Sequence, residues 1–358
     1  MALTGISLAD FRNHAQTTLR GAGTLNLLVG ANGAGKTNVL EALSLLAPGR
    51  GLRRAAPPMM ARQGGTGGFT VGASLVADGE VRLGTLTRSD APGRRLLNVN
   101  GAAATGAQVA EWLSVGWLTP AMDQLFAAPP GERRRYLDRL ALALDPSHAA
   151  SALRYEGALR ERNRLLGGDR PPEAGWLTAI EAQMADAGAS LAEGRSALVD
   201  ALMAEVVRHG EDPFPRPALT YMPGGPVGRD ELSQALHDGR ARDRAAGRTL
   251  TGPHRDDLEV HYAAKRMPAA ASSTGEQKAL LVAITLAHAA LAAKGRPAVL
   301  LLDEVAAHLD PARRAALFAR LADSGTQVWI TGTELAPFTP VAPDAAVWEI
   351  AEGTAMRL

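Results

Sequence analysis

The amino-terminal part of the chain alternates between strand-like apolar runs and glycine-containing turns. Apolar side chains recur at strand spacing in "ISLADFRN" and "TLNLLVG", and this alternation predicts two early β-strands. A glycine-rich stretch over residues 30–35 breaks the chain before a helix predicted over residues 36–46, which the Pro-Gly pair at 48–49 ends. Over residues 67–101, short runs such as "FTVGASLVA" and "VRLGTLTR" predict an antiparallel β layer.

The pattern becomes helical from about residue 111 to residue 248. Segments such as "ERRRYLDRLALALD" and "SALRYEGALRERNRLL" place apolar residues about 3.6 positions apart. β-like sequence returns at "DDLEVHY". After it the pattern predicts a helix beginning near Ser272, the strand "PAVLLLDE", a helix over residues 311–323 and the strand "TQVWITGT".

This order of elements predicts an α/β fold in which a helical insertion divides one domain. Both ends of the chain then contribute strands to one sheet. The predicted boundaries are 1–110 and 249–358 for the two parts of the α/β domain, and 111–248 for the helical insertion. Heptads do not continue far enough to predict an extended coiled coil.

Composition narrows the class of protein. The 358 residues are 46% hydrophobic and 21% charged, as in a globular protein that folds in water. With 38 basic and 37 acidic residues, the net charge does not indicate a nucleic-acid binder, so any basic surface must be local. The absence of cysteine excludes disulfides and thiolate zinc sites and is compatible with a reducing cytoplasm. We expect no signal peptide and no membrane span.

The segment "GANGAGKT" has the spacing of a phosphate-binding loop, between an apolar strand and a helix. Glycines let backbone N–H groups turn towards phosphates, and the helix N-terminus adds positive potential. Lys36 would reach the outer phosphates, and the Thr37 hydroxyl would bind Mg²⁺. The predicted loop residues are Gly30, Ala31, Asn32, Gly33, Ala34, Gly35, Lys36 and Thr37.

The apolar run "AVLLLDE" ends in two carboxylates, Asp303 and Glu304. A parallel strand delivers its last residues to the sheet edge where ligands bind. Asp303 would then hold Mg²⁺ through water, and Glu304 would act as general base on the attacking water. A strand that ends in Asp-Glu is a weak signal alone and becomes strong beside a phosphate loop.

A second candidate anion site lies far downstream at "SSTGEQKALL", where another helix is predicted to begin. Ser273 and Glu276 have the spacing of a capping box, which by itself explains this stretch as a helix start. The residues alone leave these two interpretations about equal.

The order of motifs resembles the ATPase head of the ABC class. A phosphate loop is followed by "SSTGE", "VLLLDE", "AAHLD" and "TGT" on a last strand. The resemblance implies that Ser273 and Gly275 match the signature motif, Asp310 the D-loop aspartate, and Thr331 or Thr333 the position that senses the γ-phosphate. In that class the signature of one subunit closes over ATP held by its partner. The two anion sites would then be halves of one composite site.

Further segments resemble the RecF family of bacterial recombination mediators. They are "LADFRN", "GANGAGKTNVLEALSLLAPGRGLR", "RRRYLDRL", "RYEGALRERNRLL" and "GRTLTGPHRDDLEV", and the resemblance runs from about Ile6 to Thr333. It implies an SMC-like P-loop ATPase head with a helical lid and slow, Mg²⁺-dependent ATP hydrolysis that serves as a switch. By position, Arg12 and Asn13 would lie near the nucleotide, and Asn38 would extend the loop.

The same resemblance implies the partners of the protein. It implies an ATP-dependent homodimer that binds duplex DNA and junctions of single- and double-stranded DNA at gaps. It also implies that the protein acts with RecO and RecR to load RecA, in the cytoplasm at the nucleoid. ATP and Mg²⁺ are the only cofactors expected, because the eight histidines show no metal-ligand spacing.

The sequence departs from the ABC pattern at several positions. Glu276 stands where the signature usually has Gln, and Thr274 where many ABC proteins have Gly. Thr-Gly-Thr replaces the switch histidine of transporters, which fits the RecF family but leaves the γ-phosphate sensor open. Asp123 and Gln124 are the two candidates for the Q-loop position.

Candidate DNA contacts are less specific. Two arginine clusters could bind phosphates without reading sequence, although a charged helix face is usually solvated and Glu156 before Arg160 is a routine surface pair. His254 and Arg255 in "TGPHRDD" could face DNA or the lid, or Gly252-Pro253 could simply make a turn. The clusters are Arg133, Arg134, Arg135 and Arg139, and Arg154, Arg160, Arg162 and Arg164.

Three other classes of ATPase compete with this interpretation. A transporter subunit has no counterpart for the large helical insertion, and a zinc-bearing excision-repair ATPase conflicts with the absence of cysteine. An ATP-gated clamp or scaffold, in which hydrolysis only resets the protein, overlaps with the prediction made here.

Overall fold

A computed structural model describes residues 2–77, 79–168, 173–210, 212–306 and 309–358. The chain divides into two compact units. The first comprises residues 1–123, 211–214 and 281–358, and the second comprises residues 124–210 and 215–280. No helix among the described residues is long and apolar enough to cross a membrane.

The described residues form strands and helices in the following order. The strands are β1 (Leu3–Phe11), β2 (His14–Arg20), β3 (Leu25–Val29), β4 (Phe69–Ala77), β5 (Gly79–Arg88), β6 (Ala91–Val99), β7 (Ala102–Ala104), β8 (Ser114–Leu118), β9 (Pro217–Met222), β10 (Asp257–Tyr262), β11 (Met267–Pro268), β12 (Ala298–Leu302), β13 (Gln327–Gly332), β14 (Ala346–Ala351) and β15 (Thr354–Arg357). The helices are α1 (Lys36–Ser44), α2 (Gly106–Trp112), α3 (Pro130–Leu144), α4 (Ser147–Leu166), α5 (Ala174–His209), α6 (Arg229–Asp238), α7 (Arg240–Ala246), α8 (Thr274–Ala292) and α9 (Pro311–Asp323).

The first unit contains two six-stranded sheets. One has the order β15-β14-β3-β13-β12-β8, in which β14, β3, β13, β12 and β8 pair in parallel. Every residue of β8, β12 and β13 is buried, which explains why these strands are continuous apolar runs. The second sheet is antiparallel, with the order β2-β1-β4-β5-β6-β7.

A buried glutamine joins the two sheets of the first unit. The Gln327 amide donates to the carbonyl oxygens of Leu3 and Gly23, both at 2.8 Å, and its Oε1 accepts from the N–H of Leu3 at 2.9 Å. Trp329 in the next inward position stacks on Trp348 with ring centroids 5.5 Å apart. The side chains of β13 therefore hold the start of β1 and the body of β14 in fixed positions.

The second unit packs helices α3 to α7 with a three-stranded antiparallel sheet of order β11-β10-β9. A fully buried guanidinium lies among these helices. Arg162 bonds to Glu181 at 3.0 Å, Asp243 at 2.6 Å and the carbonyl oxygen of Leu236 at 2.7 Å. It thus connects α4, α5, α6 and α7 through one side chain.

The observed division differs from the predicted boundaries at both ends of the insertion. Residues 114–118 were expected to be helical but form β8, which pairs with β12 in the first unit. Residues 249–280 were assigned to the α/β domain, but β10 pairs with β9 and bonds through Asp257 to Arg133 of α3. The helical segment also contains β9. Short apolar runs such as these do not distinguish a strand from a buried helix by periodicity.

Most of the arginines that were candidates for DNA contact have partners within the protein. Arg162 is completely buried, so the structure excludes it as a candidate. Arg133 forms a two-point ion pair with Asp257. On the surface, Arg164 pairs with Glu161 and Arg160 with Glu156, as expected for solvated helix faces.

Removing the buried guanidinium should destabilise the second unit. Arg162→Ala leaves the carboxylates of Glu181 and Asp243 buried without this cation, so we expect the free energy of unfolding to fall by about 3–5 kcal/mol. Urea denaturation measures this change. Arg164→Ala, two residues further along α4 at an exposed pair, is the matched control and should have little effect. Equal effects of the two substitutions would contradict the assigned role of Arg162.

Candidate functional site

The glycine-rich loop joins the buried strand β3 to helix α1 in the first unit. Gly30 has φ 150°, and a Cβ there would lie 2.2 Å from the carbonyl oxygen of Ile350. Gly35 has φ 118° and is the N-cap residue of α1, where no side chain caps the helix. The first turn of α1 also contains no acidic residue. The loop therefore leaves an uncapped helix N-terminus that favours an anion.

Lys36 is 4% exposed and folds back over the loop. Its Nζ donates to the carbonyl oxygens of Gly30 at 2.7 Å and Ala31 at 2.9 Å. Burial lowers the pKa of Lys36, while the charges of Glu304 and Asp303 oppose this shift. Both carboxylates at the end of β12 therefore stabilise the charged form of the ammonium group.

Asp303 is the centre of the hydrogen-bond network at this sheet edge. Its Oδ1 accepts from the hydroxyl of Thr37 at 2.8 Å and from the hydroxyl of Thr331 at 2.9 Å. The N–H of Glu304 donates to the Thr331 hydroxyl at 2.9 Å. One carboxylate thus connects the start of α1 with the ends of β12 and β13.

Glu304 occupies a backbone conformation that disfavours most residues. Its φ is 53°, in the left-handed region, which costs a non-glycine residue about 1–3 kcal/mol. The residue directly follows Asp303 at the end of β12 and is partly exposed. Such strain at a strand end often accompanies a site that requires one orientation of the side chain.

The donor set at this edge suits a magnesium ion that is also bound by phosphate oxygens. A hydroxyl and a carboxylate, Thr37 and Asp303, are oxygen ligands of the kind that Mg²⁺ prefers. Among the described residues, no group of three or more His, Asp or Glu side chains forms a metal cage. The residues therefore fit an ion that keeps most of its ligands from water and substrate.

Asn13 and Asn38 contact the loop, and Arg12 bonds to the helix that follows it. Asn13 Nδ2 donates to the Ala34 carbonyl oxygen at 2.9 Å, and Asn38 Nδ2 donates to Asn13 Oδ1 at 2.8 Å. Arg12 makes two hydrogen bonds, at 2.9 and 2.6 Å, with the buried carboxylate of Glu41 on α1. In this structure Arg12 supports the helix behind the loop.

His14 also supports the loop, which the sequence patterns did not predict. The ring is buried, and its Nε2 lies 3.1 Å from the carbonyl oxygen of Gly35. Its Nδ1 lies 3.0 Å from the Thr17 hydroxyl, which donates to the Gly353 carbonyl oxygen at 2.7 Å. A histidine directly after the Arg12-Asn13 pair was the available signal. Local sequence gives no signal for Gly353.

The predicted signature residues lie in the second unit, at the start of α8. The helix begins at Thr274, and Ser273 and Glu276 form the predicted capping box. Glu276 Oε2 accepts from the N–H and the hydroxyl of Ser273, both at 3.0 Å. Lys265 also pairs with Glu276. Ser273 and Gly275 are exposed, and a Cβ at Gly275 would meet nothing within 4 Å.

The remaining candidates are placed as follows. Asp310 is exposed and caps α9 by accepting from the N–H of Arg313 at 2.9 Å. Thr333 is exposed just beyond β13, whereas Thr331 is buried against Asp303. Asp123 follows β8, whose last carbonyl oxygen, on Leu118, accepts from the N–H of Asp303 at 2.9 Å. Ala307 and His308 of "AAHLD" lie outside the described residues, and the Q-loop assignment stays a prediction.

Comparison with known proteins finds similarity over nearly the whole chain. The family model of the RecF/RecN/SMC N-terminal domain matches residues 2–339. The chain is 47% identical over 368 aligned positions to the DNA replication and repair protein RecF of Mesorhizobium japonicum, covering 98% of this chain and 97% of the relative. It is 44% identical over 369 positions to the protein of the same name from Brucella suis, covering 99% and 95%.

Solved structures have the same fold. A structure of the recombination mediator protein RecF with ATP, in the RecFOR pathway, has a TM-score of 0.86 at 23% identity and covers 100% of this chain and 97% of that chain. The Smc head domain of Pyrococcus furiosus, bound to the C-terminal domain of ScpA, has a TM-score of 0.56 at 16% identity and covers 100% and 96%. The predicted fold class, an ABC/SMC-like ATPase head, is confirmed.

Replacing the two candidate threonines should separate their roles. Thr331→Val removes the acceptor of the Glu304 N–H and a donor to Asp303, so we expect a loss of about 1–3 kcal/mol in the free energy of unfolding. Thr333→Val is the matched control on the same segment and should leave stability nearly unchanged, because its side chain is exposed. Thermal and urea denaturation of both variants provide the measurement, and a stable Thr331→Val protein would contradict the network.

Protonation of His14 should destabilise the folded protein. Burial lowers the pKa of His14 below its usual value of 6.5, and the Gly35 and Gly353 carbonyls offset part of the shift. The unfolded chain therefore binds a proton first, so stability present above pH 6.5 falls as the pH drops below it, by at most about 1.4 kcal/mol per pH unit. Urea denaturation between pH 7.5 and 5.5 should show a weaker pH dependence for His14→Gln than for the parent. Identical slopes would refute this assignment.

Proposed function

Because the chain belongs to the RecF family, we propose that it is an ATP-dependent recombination mediator that binds DNA at single-strand gaps and stalled forks. The observation that carries this proposal is the network in which Asp303 joins the Thr37 hydroxyl at the phosphate loop to Thr331 beside Glu304. The candidate nucleotide-binding residues and the candidate general base lie at the same sheet edge, as the transfer of a phosphoryl group to water requires.

The chain's own residues supply the binding and orientation that hydrolysis needs. Lys36 exchanges its bonds to the loop carbonyls for bonds to the outer phosphates, which its buried position favours. The uncapped N-terminus of α1 directs backbone N–H groups at the same anion. A magnesium ion held by Thr37 and Asp303 would neutralise charge on the phosphates.

Glu304 is proposed as the general base. The left-handed backbone conformation of Glu304 and the hydrogen bond from its N–H to the Thr331 hydroxyl fix the direction in which the side chain leaves the backbone. The fixed carboxylate then orients a water and accepts its proton. Turnover is proposed to be slow, as the resemblance to the RecF family implies, so that hydrolysis switches the state of the protein rather than consuming ATP for metabolism.

Dimerisation is proposed to complete the nucleotide site. The start of α8 is exposed at Ser273, and the open space at Gly275 lets another backbone approach closely. Ser273 is held in place by its capping box with Glu276, and Lys265 pairs with that carboxylate, so the position of the helix start is fixed. The phosphates of ATP bound by a partner subunit are the proposed anion, and Asp310 and Thr333 are proposed to lie at this shared site.

The proposed partners are duplex DNA and its junctions with single strands, together with RecO and RecR, through which RecA is loaded. The solved relative with ATP is described as part of the RecFOR pathway, which supports this assignment. The proposed location is the cytoplasm, at the nucleoid. The alternative is an ATPase subunit of another ABC-class assembly, transporter-like or SMC-like, that does not act on DNA gaps, and binding to gapped duplex DNA separates the two.

Blocking hydrolysis should trap the dimer. We expect Glu304→Gln to bind ATP and to accumulate as a dimer that holds gapped duplex DNA, because the general base is removed while Asp303 and Lys36 remain. Multi-angle light scattering measures the dimer, and fluorescence anisotropy with gapped duplex, intact duplex and single-stranded DNA measures binding under ATP and ADP.

Two controls make this test specific. Lys36→Met should lose nucleotide binding, and Ser273→Arg should keep nucleotide binding but lose the dimer. If Glu304→Gln stays monomeric with ATP, the shared site is wrong or Glu304 is not the base. ATP-dependent dimers that ignore all three DNA substrates would favour the alternative assembly.

A further inference from the structure

The second unit contains a cavity of about 420 Å³ that is separate from the residues assigned to the nucleotide. The first residues of α3, Asn163 of α4 and the segment from Arg248 to Arg255 line it. Three guanidinium groups, those of Arg134, Arg248 and Arg255, face this space, and no carboxylate side chain lines it. We call it the arginine cavity.

The carboxylates around the cavity already bind other cations. Asp257 accepts two hydrogen bonds from Arg133, at 2.8 and 2.6 Å. Arg195 bonds to Asp256 at 2.6 Å and to both oxygens of Asp138, at 2.8 and 2.9 Å. Five arginines therefore surround three carboxylates, which leaves an excess of two positive charges.

The cavity arginines themselves lack an anionic partner. Within the part of the chain that the structure describes, none of Arg134, Arg248 and Arg255 has a carboxylate oxygen within the 4 Å of an ion pair. Arg134 is half-buried and bonds only to a backbone oxygen, that of Asp256 at 2.7 Å. Burial and the charge of Arg195 lower the pKa of Arg134, while the charges of Asp257, Asp256 and Asp138 oppose this shift.

The polar wall of the cavity presents donors. Asn163 Oδ1 accepts from the N–H and the hydroxyl of Thr249, at 2.8 and 2.7 Å, so its amide N–H groups remain for a ligand. His254 is committed internally, with Nε2 3.0 Å from the Thr249 carbonyl oxygen and Nδ1 2.8 Å from the Tyr155 hydroxyl. His254 therefore lines the cavity without a free ring nitrogen for a ligand. Of the two candidate residues in "TGPHRDD", Arg255 is the one that a ligand can reach.

The start of α3 adds to the positive potential. Pro129 is the N-cap residue and offers no side-chain cap, and Pro130 and Gly131 line the cavity. Glu132, the acidic residue of the first turn, pairs with Arg135. The helix dipole therefore acts in the same direction as the three arginines.

We infer that the arginine cavity binds a phosphomonoester. A terminal phosphate carries about −1.5 to −2 charge at neutral pH, which matches the excess of two positive charges, whereas a phosphodiester carries a single charge. Guanidinium and amide donors also match the three terminal oxygens of such a group. The phosphate can come from a nucleic-acid end or from a small phosphorylated metabolite. This inference goes beyond the proposed ATP site, and only the nucleic-acid source rests on the proposed function.

Binding of inorganic phosphate tests the cavity directly. The full chain carrying Lys36→Met, which disables the phosphate loop, is titrated with inorganic phosphate by calorimetry at low ionic strength. We expect binding that the added pair Arg248→Gln and Arg255→Gln weakens about tenfold or more. The matched control is Arg160→Gln, an exposed arginine of the same unit that does not line the cavity, and it should bind phosphate like its parent.

DNA ends then identify the source of the phosphate. Gapped duplexes that carry phosphate or hydroxyl at the 5′ or the 3′ end of the gap are compared by anisotropy, without nucleotide. A preference for a phosphorylated end that disappears in the double arginine variant assigns the ligand to DNA. Binding of inorganic phosphate and of glucose 6-phosphate without any preference among the DNA ends assigns it to a metabolite.

Two results would overturn the inference. One is the absence of phosphate binding in the Lys36→Met protein, and the other is phosphate binding that the double arginine variant leaves unchanged. Circular dichroism and urea denaturation establish that the variant is folded, and its exposed positions make this the expected outcome. Failure of the ATP-dependent dimer would contradict the proposed function and would leave the phosphate titration unaffected.

Discussion

The parallel pairing of β3, β13 and β12 is the constraint on which the rest of the molecule depends. Parallel strands end at a common edge, so this pairing brings the phosphate loop after β3 to the carboxylates after β12. The Thr37–Asp303 and Thr331–Asp303 bonds can form only while the three strands hold their register. The buried Gln327 connects this sheet to the second sheet, because its side-chain amide forms hydrogen bonds with the backbone of Leu3. The packing of the two sheets and the arrangement of the candidate site at this edge therefore both depend on the parallel pairing of these strands.

The sequence predicted those parts whose signals are local. The glycine spacing before Lys36, the apolar run before Asp303 and the Pro311–Asp323 helix each have a pattern that short-range physics explains, and the structure contains all three elements. The capping box of Ser273 and Glu276 was also readable from spacing alone. The proposed second role of this helix start, in binding a partner's nucleotide, rests on the resemblance. A helix cap and an anion-binding site have the same residue spacing, so spacing alone does not distinguish them.

The parts that depend on distant partners escaped prediction. β8 and β9 are short apolar segments whose strand identity comes from pairing with β12 and β10. Arg162 has the sequence context of a surface cluster and is buried only because Glu181 and Asp243 meet it across helices. Likewise, His14 follows the Arg12-Asn13 pair, but this local context does not predict that its ring supports Gly35. An arginine or a histidine can be either solvated or buried. Which of the two states it adopts depends on a partner residue that lies elsewhere in the chain.

The order in which the chain is made adds a consequence of this topology. Both neighbours of β3, the strands β13 and β14, begin at residue 327 or later. At about 5–20 residues per second, a ribosome needs roughly 15 to 60 s to deliver them after β3 has emerged. During that interval the backbone N–H and C=O groups on both edges of β3 are unpaired, and they can pair with a wrong strand. The candidate nucleotide site is thus among the last parts of the molecule to assemble, and a prematurely terminated chain would carry a phosphate loop without the hydrogen bond from Thr37 to Asp303.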